Sequence, residues 1–126
     1  MTKRTQKYSS NGSNGVEPMR ICKARTFIEA HSAEELSLGK VARVAHTSTN
    51  YFSEKFREAT GMNFVTYVAR TRFENAATLL READLRVSEI AFAVGFQSLS
   101  QFNRVFKKFA GKSPTEYRNG DRPSSH

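Results

Sequence analysis

Apolar residues recur along the chain at intervals of three and four, the spacing that places side chains on one face of an α-helix. Two stripes show this spacing: Ile21, Ala24, Phe27 and Ile28 near the start, and Val65, Val68, Ala76, Leu79 and Leu80 in the middle. No run of alternating β-branched residues is long enough to predict a strand. The pattern therefore predicts an all-α fold.

Capping signals place the ends of several of these helices. Asn63 precedes the central periodic segment, which continues to Glu82. The run Ser113-Pro114-Thr115-Glu116 combines a capping box with proline at the first helical position. Gly61 and Gly111 each follow an apolar periodic segment, where a left-handed C-cap favours glycine.

The chain contains an internal duplication. Three apolar positions recur at a shift of 49, namely Val41, Ala42 and Ala45 as Ile90, Ala91 and Val94. Three more recur at a shift of 50, namely Phe52, Phe56 and Gly61 as Phe102, Phe106 and Gly111. Each copy predicts a short helix, a tight connection and a longer helix, which is the organisation of a helix-turn-helix.

In the second copy, Gly95 lies where the connecting backbone requires a positive φ. The longer helix that follows is expected to bury Phe102, Val105, Phe106 and Phe109 and to turn a polar, basic face outward. Arginine pairs with guanine, asparagine or glutamine pairs with adenine, and lysine suits phosphates. The candidate DNA-binding residues of this copy are Ser98, Leu99, Ser100, Gln101, Asn103, Arg104, Lys107 and Lys108.

Two alternatives remain open for this face. Ser98-x-x-Gln101 is also a capping-box pattern, in which the amide of Gln101 folds back onto the start of the helix. The whole face could also be an ordinary solvated helix surface, and the repeat and the turn chemistry are what favour DNA contact.

The first copy offers a second set of candidate DNA-binding residues: Ser48, Thr49, Asn50, Ser53, Lys55 and Arg57. His46 stands where glycine would relax the turn, at a cost of roughly 1 kcal/mol, so we expect the first unit to be the less stable one. Glu54 corresponds to Arg104. Its carboxylate either accepts a hydrogen bond from cytosine or points away from the groove, and we expect the latter.

Charge distinguishes the two copies and narrows the function. The 126 residues carry a formal charge of +8, which favours a polyanionic partner. Basic residues exceed acidic ones by two in the first unit (Lys40, Arg43, Lys55 and Arg57 against Glu54 and Glu58) and by four in the second (Arg104, Lys107, Lys108, Lys112 and Arg118 against Glu116). We therefore hypothesise that the second unit supplies more of the phosphate affinity.

Other chemistry is not indicated. Three scattered histidines lack metal-ligand spacing, and phosphate-cradling glycine loops and nucleophile elbows are absent, so we expect no metal, no cofactor and no enzyme activity. Apolar runs are far too short to predict a membrane span or a signal peptide. The single cysteine, Cys22, is expected to be a small buried residue.

The repeat closely resembles the AraC/XylS family of bacterial transcription regulators. The resemblance extends from about Ile21 to Arg118, and its most specific motifs are Ile90-Ala91, Gly95-Phe96, Ser98, Phe102, Arg104, Phe106-Lys107, Gly111, Ser113-Pro114 and Tyr117-Arg118. It implies about seven helices in two homeodomain-like helix-turn-helix subdomains joined by a long helix. It also implies that Arg72 is structural, and we expect from it a salt bridge that holds the subdomains rather than a base contact.

These observations predict a tail or linker over residues 1–17, a DNA-binding domain over 18–118 and a flexible tail over 119–126. Within the domain, the subdomains span 18–62 and 84–118, and a linker helix spans 63–83. At about 1.5 Å per residue, residues 64–82 span about 28 Å, close to one turn of B-DNA. Two recognition helices would thus enter adjacent major-groove segments.

The predicted function is sequence-specific regulation of transcription, with activation more frequent in the family than repression. Double-stranded promoter DNA and RNA polymerase are the expected partners, in the bacterial cytoplasm and nucleoid. The chain would act as a monomer, or as a dimer through a domain outside it, and is either a self-contained regulator or part of a longer protein. The alternatives are an architectural or nonspecific DNA-binding protein and a helical protein-interaction module.

Overall fold

The computed structural model describes the backbone of residues 16–121 and the side chains of residues 19–120. This part of the chain forms seven α-helices and no strand, which confirms the predicted fold class. The helices are α1 (Val16–Ala30), α2 (Leu38–Val44), α3 (Thr49–Thr60), α4 (Phe64–Glu82), α5 (Val87–Ala93), α6 (Leu99–Ala110) and α7 (Pro114–Asp121). Helix α1 begins inside the segment predicted as a tail and α7 ends inside the other. Residues 1–15 and 122–126 of those tails lie outside the described residues.

The helices form two compact units. Within the described range, the first unit comprises residues up to Ala30 and Leu36–Phe64. The second comprises His31–Glu35 and the residues from Val65 onward, so the body of α4 belongs to the second unit. None of the helices between residues 16 and 121 is both long and apolar enough to cross a bilayer.

In the first unit, α1 packs against α2 and α3, and α2 packs against α3. Its buried apolar side chains are Ile21, Ala24, Ile28, Val41, Ala42, Ala45, Phe52, Phe56 and Phe64. The Phe56 ring centroid lies 5.2 Å from that of Phe52 and 6.4 Å from that of Phe64. Cys22 is exposed, so its predicted burial is wrong: it follows Ile21 directly and therefore leaves the helix away from the buried stripe.

In the second unit, α4 to α7 surround an aromatic core. Its buried members are Ala76, Ala77, Leu80, Ile90, Ala91, Val94, Phe96, Phe102 and Phe106. The Phe106 ring lies 4.8 Å from Phe73, 5.6 Å from Phe102 and 5.2 Å from Tyr117. Val65, assigned by its spacing to the apolar stripe of α4, is 73% exposed, so that assignment is wrong: the buried residue at the start of that helix is the preceding Phe64.

Arg72 makes structural contacts, but not the salt bridge between subdomains that was predicted: both of its hydrogen-bond partners lie in the second unit. Its Nε donates to the carbonyl oxygen of Ser32 at 2.7 Å and its Nη2 donates to that of Glu34 at 2.9 Å. Asn75 donates to the Ser32 hydroxyl at 3.3 Å. The partners of Arg72 among the described residues are thus backbone carbonyls rather than the carboxylate of a salt bridge. Burial lowers the pKa of its guanidinium below the ordinary value.

Arg118 caps the carboxyl end of α4. Its Nε donates to the carbonyl oxygen of Leu80 at 3.1 Å and its Nη2 donates to that of Ala83 at 3.2 Å. A cation at this end of a helix satisfies carbonyls that lack a helical partner and is favoured by the helix dipole. Arg118 therefore holds the fold of the second unit, and its guanidinium is already engaged.

Candidate nucleic-acid interface

Each unit contains a helix-turn-helix, and the two turns differ by one residue. The amides of Thr47 and Phe96 donate to the carbonyls of Ala42 and Ala91, so the bonds closing both short helices are related by a shift of 49. The recognition helices α3 and α6 then follow N-cap serines that are 50 residues apart. Gln97 is the additional residue, which confirms that the change of register falls in the turn.

Positive φ occurs where the duplicated pattern requires it. Gly95 has φ of 113°, and the corresponding His46 has φ of 62°, a left-handed conformation unusual for a residue with a side chain. Helices α3 and α6 both end at left-handed glycines, Gly61 with φ of 79° and Gly111 with φ of 80°. The predicted glycine caps are confirmed, and His46 adopts the predicted left-handed conformation.

Serine caps fix the start of both recognition helices. The Ser48 hydroxyl accepts from the amide of Tyr51 at 3.2 Å, and the Ser98 hydroxyl accepts from the amide of Gln101 at 3.1 Å. Both hydroxyl oxygens are therefore engaged with the helix, although both residues are exposed. The hydroxyl proton of each serine remains available as a donor to a phosphate.

The outward face of α6 is polar and basic, as predicted from its sequence. Phe102 and Phe106 are fully buried, and the two residues that follow Phe102 are Asn103 and Arg104, which are exposed. Leu99 at the start of the helix is 41% exposed. The exposed candidate residues on this helix are Leu99, Ser100, Asn103, Arg104, Lys107 and Lys108.

Gln101 takes the capping geometry rather than standing clear of the helix. Its Oε1 accepts from the amide of Gln97 at 3.0 Å, so the side chain folds back over the start of α6. The partner is the residue before the N-cap, not the N-cap itself as in the usual capping box. Gln101 thus stabilises the backbone at the one residue by which the second turn exceeds the first.

The outward face of α3 carries the first set of candidates. Thr49, Asn50 and Arg57 are exposed, whereas Ser53 and Lys55 are half-buried. Glu54 is also exposed and lies midway between the buried Phe52 and Phe56.

Tyr51 is a candidate that the sequence did not single out. It is 40% exposed on α3, and the Lys55 ammonium lies 5.7 Å from its ring centroid. Tyr51 corresponds to Gln101 in the repeat. A position that is polar in one copy is not expected to be a core position in the other, so the repeat could have identified Tyr51 as a surface residue. A phenol on this face suits a phosphate contact.

The recognition helices differ in charge. Helix α3 contains two glutamates, one lysine and one arginine and is neutral overall, whereas α6 contains Arg104, Lys107 and Lys108 with no acid. Lys55 also lies within 3.5 Å of the Glu58 carboxylate. Because Arg118 is engaged in capping α4, the basic excess of the second unit that remains for phosphates is concentrated on α6 and Lys112.

Two tandem helix-turn-helix units, each with a capped helix that turns polar side chains outward, define the chain as a double helix-turn-helix protein. A family model described as a helix-turn-helix domain matches residues 41–120. This match and the structural neighbours show that the chain belongs to the AraC/XylS family.

Similar proteins include both curated sequences and solved structures. The chain is 39% identical over 94 residues to YijO of Escherichia coli (strain K12), an uncharacterized HTH-type transcriptional regulator, and the match covers 75% of this chain but only 33% of YijO. The C-terminal domain of AraT, a response regulator from Geobacillus stearothermophilus, has a TM-score of 0.76 at 33% identity, over 80% of this chain and 84% of that domain. The DNA-binding domain of the transcriptional factor AdpA, solved with a target DNA, has a TM-score of 0.77 at 27% identity, over 82% of this chain and 96% of that one.

Proposed function

We propose that this chain binds double-stranded promoter DNA sequence-specifically and regulates transcription, with α3 and α6 in adjacent major-groove segments. The observation that carries the proposal is the outward face of α6. It presents Asn103 and Arg104, side chains suited to base edges, on the same helix as two lysines suited to phosphates. The complex of the similar AdpA domain with a target DNA supports this use of the fold.

The rigid positioning of α6 also supports base-specific contact. Its N-terminus is fixed by Ser98 and Gln101, and its inner face is packed through Phe102 and Phe106. A good bidentate pair between a side chain and a base contributes about 1–3 kcal/mol of discrimination. It forms only when the side chain is held in register with the base edge in the groove. A nonspecific binder needs no such fixed helix, and it would present mainly lysine-rich faces or apolar wedges.

The same proposal covers the regulatory role of the chain, its protein partner and its location. The matched residues make up a third of YijO, and we assign effector binding and oligomerisation to parts of such regulators other than this DNA-binding domain. RNA polymerase is the proposed protein partner, and the position of the site relative to polymerase sets activation or repression. The chain acts in the cytoplasm, on the nucleoid, through binding rather than catalysis.

Selection of duplexes from a random pool tests the proposal. The expected result is a motif with two blocks separated by about one turn of DNA. The Arg104→Ala variant should lose discrimination at one position of one block, whereas Arg70→Ala, on the exposed side of α4, should bind like the wild type. A ratio of specific to competitor affinity near one would instead indicate a nonspecific DNA-binding protein, and a single short block would show that only one unit contacts bases.

A further inference from the structure

Glu54 occupies the same place on α3 that Arg104 occupies on α6. Each follows its N-cap serine by six residues and lies two residues from each of two fully buried phenylalanines. At about 100° per residue, a side chain two positions from both leaves the helix on the side opposite the core. Both residues are exposed. Glu54 therefore lies at the centre of the outward face, not at its edge.

The carboxylate of Glu54 has no compensating partner among the described residues. The neighbouring Glu58 is paired with Lys55 at 3.5 Å. Glu54 forms no hydrogen bond or ion pair with another described side chain. An unpaired carboxylate at the centre of a face that approaches phosphates weakens binding unless it receives a hydrogen bond there. The cytosine N4 amino group is the donor in the major groove to which glutamate pairs.

We propose that Glu54 is a specificity-determining residue of the first unit and accepts a hydrogen bond from the N4 amino group of a cytosine in the major groove. The inference rests on the proposed function. It assigns the two equivalent positions opposite preferences, cytosine for Glu54 in one half of the site and guanine for Arg104 in the other. The negative charge that weakens phosphate binding by α3 would thereby become a source of discrimination.

Base-pair substitution across the selected site tests the proposal with the full chain. All four base pairs are placed at each position of the half contacted by the first unit, and affinities are measured for wild type, Glu54→Ala, Glu54→Gln and Glu54→Arg. We expect the wild type to prefer cytosine at one position by roughly tenfold. Glu54→Ala should abolish that preference there alone, Glu54→Gln should shift it to adenine, and Glu54→Arg should shift it to guanine.

Glu58→Gln is the matched control, because it removes one negative charge from the same helix one turn later. It should raise affinity for all duplexes alike and retain the cytosine preference. If Glu54→Ala also raises affinity uniformly and leaves every base preference unchanged, Glu54 acts only through its charge and the inference is overturned. If the wild type shows no sequence preference anywhere, the proposed function fails as well, so the two failures are distinguishable.

Discussion

The backbone of Gly95 lies directly against the side chain of Arg72. A β-carbon at position 95 would stand 2.7 Å from Arg72 Nε and 2.7 Å from the carbonyl oxygen of Ser32, the two atoms that form the hydrogen bond between those residues. Gly95 also has φ of 113°. The turn of the second helix-turn-helix therefore needs glycine for two independent reasons, its conformation and the space it leaves.

Gly95→Ala should consequently destabilise the chain much more than the same change at another left-handed glycine. Gly111 has φ of 80°, but a β-carbon added there would meet no atom within 4 Å, so Gly111→Ala should cost only about 1 kcal/mol. Displacement of Arg72 or Ser32 adds an overpacking cost, and we expect a total of roughly 3 kcal/mol for Gly95→Ala. Chemical denaturation of both variants measures the difference, and equal losses would show that conformation alone selects glycine here.

Arg72→Ala should destabilise the second unit by roughly 2–4 kcal/mol, because it leaves the carbonyls of Ser32 and Glu34 without a charged donor. Arg70, two residues earlier, forms an exposed pair with Glu74 at 3.2 Å, so Arg70→Ala should cost less than about 0.5 kcal/mol. Thermal denaturation of the two variants checks this ranking.

The same pair of variants separates a structural role of Arg72 from a contact with DNA. A structural arginine predicts that Arg72→Ala, compared below its melting temperature, retains the wild-type slope of log affinity against log salt. A slope reduced by nearly one would show that Arg72 neutralises a phosphate.

Local signals explain why so much of the fold could be predicted. The start of α4 after Asn63 and the glycine ends of α3 and α6 depend on residues within one helical turn. The glycine end is also present in both copies of the repeat, as Gly61 and Gly111. The partners of Arg72 could not be predicted, because they are backbone carbonyls 40 and 38 residues away in an irregular segment. A sequence pattern identifies side chains, whereas any carbonyl can accept such a bond.

In the candidate site, too, some features could be predicted from the sequence and others could not. Spacing identified the outward faces, because burial of two phenylalanines four residues apart determines which side of a helix is exposed. The conformation of Gln101 could not be decided from the sequence. Its side chain accepts from the amide of Gln97, the additional residue of the turn, and not from the N-cap amide that the capping-box pattern specifies. For Glu54, the expectation of a side chain turned away from the groove stays a prediction, because its exposure between the buried Phe52 and Phe56 shows only that it lies on the outward face.

Lys107→Ala should reduce the salt dependence of DNA binding more than Lys55→Ala does. Lys107 is exposed on a helix without acidic residues, whereas Lys55 is half-buried and lies 3.5 Å from Glu58. Each lost phosphate contact lowers the slope of log affinity against log salt by about 0.9. We expect a decrease near that value for Lys107→Ala and a clearly smaller one for Lys55→Ala. Equal decreases would refute the asymmetry between the units.

Glu116 makes the stability of α7 sensitive to acid. Its Oε1 accepts from the Ser113 amide at 2.9 Å and its own amide donates to the Ser113 hydroxyl at 3.1 Å, which confirms the predicted capping box. The hydrogen bond from the Ser113 amide, then the interaction of the carboxylate with the Ser113 hydroxyl, and the nearby Lys107 and Lys112 lower the pKa of the Glu116 carboxyl below its ordinary 4.5. A depressed carboxyl pKa contributes stability that is fully present above pH 4.5 and is lost as the pH falls through the lower folded-state value.

Glu116→Gln retains a side chain that can accept the Ser113 amide proton but cannot ionise. The wild type should therefore melt at a higher temperature than this variant near neutral pH, and the gap should close as the pH falls below 4.5. Ser113→Ala is the matched control, because it keeps the charge of Glu116 and the amide of residue 113 but removes the hydroxyl acceptor. The melting temperature of this variant should still fall with acid, by less than that of the wild type. A gap between wild type and Glu116→Gln that stays constant down to about pH 3 would show that ionisation of Glu116 does not stabilise the helix.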